Sequence, residues 1–311
     1  MLLAYASGLG VLGPRLTRQA TWPDKAPMLA IAGYLAAVWS VIAAIALAGL
    51  TLAVHGTALG GGLSHLVGAC VRRLRDTYAT PGGTAATVAG LALAGTVLAG
   101  TILTGVARLR AARRDALHHA QTARLVGREM ADLEATVVDH PSPAAYCLAG
   151  RQPTVVLTTG ALRVLDPAQL AAVLAHERAH LASRHHLLMT VARAGRMVLP
   201  FVPLLREADA QVARLAELHA DDAAARACDS GPLVAAAMVI LATGGSYQPA
   251  MAAAAADVTR RVTRLLRPAE PLRGEHRLLL RAGVAALLLG PVLLALSPAM
   301  VALALGPVPS A

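Results

Sequence analysis

Residues 166–180 read DPAQLAAVLAHERAH, a segment that opens with helix-start residues and closes with two histidines. Aspartate followed by proline is typical of an N-cap and a first helical position, and the apolar residues that follow recur at helical spacing. On such a helix His176 and His180 lie on the same face, where both imidazoles can bind one Zn²⁺. Glu177 beside them can act as general base on water at the metal. The segment predicts the active-site helix of a zinc peptidase.

Catalytic zinc usually takes three protein ligands, so the sequence must supply a third. In the downstream segment ELHAD, Glu217 and Asp221 are four residues apart and share a helix face. We expect Glu217 to bind the metal and Asp221 to accept the N–H of a ligand histidine, which fixes the tautomer of that histidine. The alternative third ligand is His186, ten residues after His176, but Ser183 stands where that spacing pattern has a turn-forming glycine.

Apolar residues are concentrated in blocks along the chain. The 311 residues are 56% hydrophobic with a mean hydropathy of +0.56, which is more apolar than a typical soluble domain. Three uncharged blocks are long enough to cross a bilayer, namely Pro27–Val54, 82–107 and 282–305, and a shorter apolar block covers 1–12. We therefore expect a mainly α, integral membrane protein with about four transmembrane helices.

The polar part of the chain lies between the third and fourth predicted spans. We expect a membrane domain over 1–107, a zinc peptidase domain over 108–277, and the last span with a short tail over 278–311. The net charge is +10, and arginines, among them Arg261 and Arg264, flank the spans that border the polar part. Positive flanks stay in the cytoplasm, so the catalytic domain is expected there, at the plasma membrane of a bacterium, without direct nucleic-acid binding. Three arginines between the second and third spans favour the opposite orientation, but they are fewer than the arginines that flank the polar part.

Short segments before the active-site helix complete the predicted domain. Residues 111–137 are predicted as a helix that leaves the membrane. Residues 145–148 and 154–158 are β-rich and flank a turn cluster, which predicts a hairpin. We expect the second strand to be an edge strand that receives the substrate as an added strand. This predicted substrate-binding edge consists of Val155, Val156, Leu157 and Thr158.

The two motifs and the arrangement of the spans resemble the BlaR/MecR-type antirepressor metallopeptidases. The stretch AYCLAGRQPTVVLTTGAL, residues 145–162, and the helix after it resemble the edge strand and active-site helix that this family shares with HtpX/Ste24-type membrane proteases. The resemblance implies a gluzincin-like domain with one catalytic Zn²⁺ held by His176, His180 and Glu217, and Glu177 as the base. It also implies cleavage of a cytoplasmic transcriptional repressor as the protein substrate.

Two other functions stay open from the sequence. A quality-control or processing protease of the HtpX/Ste24 type shares the chemistry and differs in its substrate. A non-enzymatic membrane scaffold with an incidental HExxH is the second alternative. The intact glutamate of HExxH and the ELHAD segment are not expected in such a scaffold. The antirepressor relatives carry an extracellular penicillin-binding sensor domain after the last span, whereas this sequence ends at Ala311. We therefore expect the activating signal to come through a membrane sensor partner or through the spans.

Overall fold

The computed structural model describes residues 1–18, 20–54, 83–150, 153–244, 251–267 and 270–304. Its elements in chain order are α1 (Leu2–Arg18), α2 (Trp22–Lys25), α3 (Pro27–Val54), α4 (Gly83–Val126), β1 (Gly127–Met130), β2 (Ala135–Val138), β3 (Ala145–Leu148), β4 (Thr154–Thr158), α5 (Thr159–Val164), α6 (Pro167–Ala182), α7 (His185–Val198), α8 (Pro203–Ala227), α9 (Gly231–Thr243), α10 (Met251–Leu266) and α11 (Gly274–Ala304). The described residues are mainly helical, as predicted. The three arginines between the second and third predicted spans lie outside them.

Three of the described helices are long and apolar enough to cross a bilayer. The candidate spans are Pro27–Thr51 in α3, Val88–Ala111 in α4 and Gly274–Ser297 in α11, with mean hydropathies of 1.8 to 2.2. They correspond to the second, third and fourth predicted spans. Helix α1, the first predicted span, has 17 residues with Pro14 inside it and packs against α3 and α8. It is shorter than a typical transmembrane helix of about 20 residues.

Helix α3 joins the membrane helices to the polar part of the chain. It packs against α1, α4, α8 and α11 and contributes Ile31 and Val41 to the largest buried apolar cluster. The same cluster contains Leu205, Val212 and Leu215 of α8, each fully buried. Burial of a leucine or valine side chain stabilises a fold by about 1.5–3 kcal/mol. The N-terminal part of α8 is therefore fixed to α3, and the next turns of α8 carry Glu217 and Asp221.

The four strands form one sheet in the order β1-β2-β4-β3. Strand β3 pairs antiparallel with β4, which confirms the predicted hairpin, and β4 pairs on its other side in parallel with β2. The prediction that β4 is an edge strand is wrong, because both of its sides are occupied by neighbouring strands. Its residues Val155, Val156, Leu157 and Thr158 are all buried. The edge strand on this side of the sheet is β3.

The second neighbour of β4 comes from a segment that the sequence predicts as a helix. Helix α4 ends at Val126, and residues 127–138 form the antiparallel pair β1–β2 instead of continuing the predicted helix to residue 137. The run Thr136, Val137 and Val138 is β-branched, which favours a strand. Thr136 and Val137 are buried in the sheet, so tertiary packing reinforces that preference.

Candidate metal centre

Helix α6 presents the two predicted ligand histidines on one face. It begins at the predicted N-cap: the Asp166 carboxylate accepts the Gln169 N–H at 2.8 Å, and the Gln169 side chain accepts the Asp166 N–H at 3.1 Å. Such a capping box satisfies amide groups that the first helical turn leaves free. The Nε2 atoms of His176 and His180 lie 3.2 Å apart. Both rings therefore present a nitrogen to the same point in space.

Glu217 of α8 completes a group of three ligand atoms. Its Oε2 lies 3.6 Å from His176 Nε2, and its Oε1 lies 3.5 Å from His180 Nε2. Ligand atoms at 2.0–2.1 Å from a tetrahedral zinc ion are about 3.3 Å from one another, so the observed spacing suits one zinc ion. The alternative third ligand, His186, lines a separate cavity between α7 and α4 and is not brought to this group.

Asp221 contacts the ring nitrogen of His176 that does not face Glu217. Its Oδ1 is 3.1 Å from His176 Nδ1, and only 1% of its side chain is exposed. A carboxylate at this position accepts a hydrogen bond from Nδ1–H and leaves the Nε2 lone pair of His176 directed at the ligand group. This arrangement is the usual way in which proteins orient a metal-binding histidine.

Arg261 of α10 connects the two carboxylates. Its Nε and Nη2 donate to Asp221 Oδ2 and Oδ1 at 2.8 and 2.6 Å, and its Nη1 lies 2.9 Å from Glu217 Oε2. From the sequence, Arg261 is one of several arginines that flank the last span, and nothing in their spacing singles it out. Only the structure shows that Asp221 is buried, and a carboxylate removed from water requires a cation or several donors.

A chain of histidines extends from the other ligand ring. His180 Nδ1 is 2.9 Å from His185 Nδ1, and His185 Nε2 is 3.1 Å from His219 Nδ1. If His180 Nε2 faces a metal, its Nδ1–H donates to His185, and His185 then donates through Nε2–H to His219. His185 is fully buried; its burial and the neighbouring histidines lower its pKa to about 3. A neutral His185 can accept a hydrogen bond from the Nδ1–H of His180, so it holds that ring in the required tautomer.

The electrostatics of the group favour a bound cation. Burial opposes ionisation of Glu217 and Asp221, but hydrogen bonds and charges from His176 and Arg261 hold the pKa of both carboxyls below the usual values. Burial also opposes the charge of His176, yet hydrogen bonds to Asp221 and Glu217 raise its pKa to about 9. The two carboxylates thus retain a proton on a ligand histidine, and a divalent metal ion would take the place of that proton.

Glu177 lines a cleft of about 340 Å³ beside the three ligand atoms. Burial raises the pKa of this carboxyl above its ordinary value, which suits a group that takes up a proton near neutral pH. Cys147 of β3 is its neighbour, and burial together with the Glu177 carboxylate raises the pKa of that thiol to about 12. The thiol therefore stays neutral and can donate to Glu177, a contact that the sequence spacing does not reveal.

Comparison with known proteins bears on the same part of the chain. The sequence pattern of Peptidase family M48 matches residues 109–269, just over half of the chain. A stretch of 58 residues, 18% of this chain, is 45% identical to "Protease HtpX homolog" from Acidiphilium cryptum (strain JF-5) and covers 20% of that protein. The match therefore spans about a fifth of the relative's length, and no solved structure matches the chain. The ligand group, the cleft and Arg261 all fall within the matched segment, and the chain belongs to Peptidase family M48.

Proposed function

We propose that the protein is a zinc-dependent endopeptidase of the HtpX/Ste24 type that is embedded in the membrane and cleaves protein substrates. The observation that carries the proposal is the spacing of three ligand atoms from His176, His180 and Glu217, which suits one zinc ion. The membership in family M48 and the three apolar helices support the same class of protein. A scaffold without activity would not require an anionic ligand group next to a glutamate that lines a cleft.

Each residue of the site has a definable task in peptide hydrolysis. Zinc, when bound, would supply Lewis acidity that polarises the scissile carbonyl and acidifies water. Glu177 accepts the proton of the attacking water and later returns it to the leaving amine, for which a raised pKa is suitable. Asp221 orients His176, and Arg261 fixes the positions of the Asp221 and Glu217 carboxylates relative to each other.

The open side of β3 is the proposed docking edge for the substrate backbone. The Thr158 N–H donates to the Ala144 carbonyl at 3.0 Å, and Tyr146 is paired with Val156. In an antiparallel pair the residues alternate in direction, so the N–H and C=O groups of Ala145 and Cys147 point away from β4. Ala145 lines the cleft and Cys147 contacts Glu177. An extended substrate paired with these two residues would therefore pass the catalytic base.

Proline at position 145 is expected to impair substrate binding without removing a bond of the sheet. Ala145→Pro deletes an N–H that points away from β4, and its ring occupies the open edge. The loss of one backbone hydrogen bond to substrate lowers kcat/KM by about tenfold. Ala145→Ser keeps the N–H and serves as the control. Peptide hydrolysis by the two purified variants, each with wild-type zinc content, checks this; equal activities would exclude β3 as the docking edge.

Removal of a proposed zinc ligand is expected to release the metal. Glu217→Ala leaves two histidines, and the loss in zinc affinity should exceed the roughly 10–100-fold effect of partners that merely orient a ligand. His186→Ala is the matched control, because His186 lies in a different cavity. Zinc titration against a chelating indicator measures both affinities. If Glu217→Ala bound zinc as the wild type does and His186→Ala lost zinc binding, His186 and not Glu217 would be the third ligand.

The proposed location of the peptidase segment is the cytoplasmic face of a bacterial plasma membrane. Span Val88–Ala111 leads into the segment and span Gly274–Ser297 follows it, so both of its ends lie at one face, and arginine-rich flanks favour the cytoplasm. A single cysteine placed at the exposed Glu129, in a variant without native cysteines, should resist an impermeant maleimide in spheroplasts and react after lysis. Labelling before lysis would overturn the proposed orientation.

The substrate class distinguishes two forms of the proposed function. Membrane or misfolded proteins would be the substrates of an HtpX/Ste24-type protease, whereas a cytoplasmic repressor would be the substrate of a BlaR/MecR-type antirepressor. Comparative proteomics of strains that express wild type or Glu177→Gln identifies proteins that decline only with the active enzyme. The HtpX/Ste24 form predicts that several membrane proteins decline. A single DNA-binding repressor would instead support the antirepressor form, and an unchanged proteome would contradict both.

A further inference from the structure

A second, larger cavity lies on the face of α8 opposite the metal ligands. It has a volume of about 1110 Å³, and its walls come from the start of α3, from α8 and α10, and from the start of α11. Five basic side chains line it: Lys25, Arg226, Arg264, Arg277 and Arg281. Two acidic side chains, Asp222 and Asp229, also face it. The cavity is thus strongly basic, and the peptidase chemistry does not use it.

Four of these cations form no ion pair with a carboxylate among the residues that the structure describes. One of them, Arg226, donates to the Asp222 carbonyl at 3.0 Å, and the other three lie beside the candidate spans. Arg264 is paired with Asp222. Lys25, Arg277 and Arg281 have no acidic partner among the residues that the structure describes. Arg277 and Arg281 are four residues apart on the first turns of α11, so they share one face of that helix. Both line the same cavity as Lys25. Asp229, the second carboxylate of the lining, forms no ion pair with any of these three cations.

The position of these cations along the candidate spans indicates where they lie relative to a bilayer. Lys25 is two residues before the span Pro27–Thr51, and Arg277 and Arg281 are in the first turns of the span Gly274–Ser297. Arginine inside an apolar span is costly unless its guanidinium reaches the interface or an anion. All three charges therefore lie at the level where the spans enter the bilayer, which is the level of the lipid phosphates.

The remaining lining of the cavity is apolar on the side of the spans. Met28, Leu29 and Leu266 contribute to its walls. Leu278 and Leu279, on the same turns of α11 as Arg277 and Arg281, are each 68% exposed. A ligand that satisfies the whole surface needs an anionic head and an apolar body. Basic cavities between membrane helices bind the headgroups of anionic phospholipids for this reason.

We propose that this cavity binds an anionic phospholipid, whose phosphate is held by Lys25, Arg277 and Arg281. The acyl chains lie along α3 and α11, where the apolar side chains are exposed to the bilayer. The proposal rests on the membrane embedding of the proposed function and not on hydrolysis. The shared chemistry of the ligand is a phosphate anion, and the apolar surface beside the cations favours a lipid over a free phosphate.

Retention of lipid by the purified full chain tests the proposal. The protein is reconstituted in phosphatidylcholine nanodiscs with or without phosphatidylglycerol, and native mass spectrometry counts the lipids that remain bound after release into detergent. We expect retained phosphatidylglycerol in the wild type and a decrease of roughly tenfold in Arg277→Gln/Arg281→Gln, because each cation near a lipid surface contributes substantially to binding. Lys25→Gln, on a different helix, is expected to lower retention as well and provides a second, independent variant.

The control removes equal charge from the same face of the membrane. Arg267→Gln/Arg273→Gln changes two exposed arginines that do not line the cavity, and it should retain phosphatidylglycerol as the wild type does. Equal losses in both double variants, or no retained phosphatidylglycerol in the wild type, would overturn the proposal. Displacement of the lipid by inorganic phosphate or glycerol phosphate would also overturn it in favour of a soluble ligand. Zinc content and hydrolysis, measured on the same samples, report separately on the proposed peptidase function.

Discussion

Glu177→Gln is expected to lose peptide hydrolysis by about 10²–10⁴-fold, the usual contribution of a general base, while it keeps one zinc ion per chain. The glutamine amide is the same size as the carboxylate but cannot take a proton from water. Glu177 lines the cleft beside the ligand group and is not one of the three residues that supply the ligand atoms. The zinc content of the variant should therefore equal that of the wild type. Initial rates on an unfolded protein substrate, with zinc measured in parallel, provide the comparison.

A surface glutamate supplies the control for this result. Glu134 is exposed and pairs with Arg178, away from the cleft, so Glu134→Gln should hydrolyse the substrate at the wild-type rate. If Glu177→Gln also retained that rate with its zinc in place, the assignment of Glu177 as the base would be wrong. If Glu177→Gln lost its zinc, the residue would have a structural role that its position in the cleft does not suggest.

Arg261→Met is expected to weaken both the fold and the metal site. Asp221 would lose two hydrogen bonds while only 1% of its side chain is exposed, and removal of one partner from a buried ion pair costs about 3–5 kcal/mol. Without this partner Asp221 also orients His176 less firmly, which should lower zinc affinity by roughly 10–100-fold. Thermal unfolding in detergent and zinc titration measure the two effects.

Neighbouring substitutions separate the role of Arg261 from a general effect of charge. Arg260→Met removes the same charge from an exposed position on the same helix. It should leave the unfolding temperature and the zinc affinity unchanged. Arg261→Lys should recover only part of the loss, because a single ammonium group cannot reproduce the three contacts of the guanidinium. If Arg261→Met kept the zinc affinity and the stability of the wild type, Arg261 would contribute neither to the fold nor to the metal site.

Features that depend on neighbouring residues were predictable from the sequence. The N-cap at Asp166, the helical spacing of His176 and His180, and the shared face of Glu217 and Asp221 are all set within a few residues, because helix geometry fixes them. The β3–β4 hairpin was predictable for the same reason, since a short turn joins two β-rich segments.

Features that depend on distant residues were not predictable. Arg261 contacts Asp221 across 40 positions of the chain. The sequence of helix α10, which carries Arg261, contains no motif that indicates which residue Arg261 contacts. His185 meets His219 across 34 positions. The sequence predicts β4 as an edge strand, whereas its parallel partner β2 falls mostly in the segment predicted as a helix. Strands β2 and β4 pair across 20 positions with β3 between them, and a single sequence carries little information about a parallel pair of this kind.

Helix α8 is the physical link between the membrane part and the site. Arg214 in its middle pairs with Asp24 at 2.7 Å, just before the span in α3. Glu217 follows less than one turn later on the same helix. Arg264, three residues after Arg261, donates to the Asp24 carbonyl at 2.7 Å and is paired with Asp222. A shift of α3 relative to the peptidase segment would therefore act directly on the two helices that carry Glu217 and Arg261.

Zinc removal and replacement tests the central claim most directly. The purified full chain is stripped with a chelator, and hydrolysis of an unfolded protein substrate is followed as zinc is added back in steps. The site described here predicts no hydrolysis by the stripped protein, full recovery at one zinc ion per chain, and no recovery in Glu177→Gln. Hydrolysis that persists in the stripped protein, or that recovers equally in Glu177→Gln, would contradict the assignment of a zinc peptidase centre to His176, His180, Glu217 and Glu177.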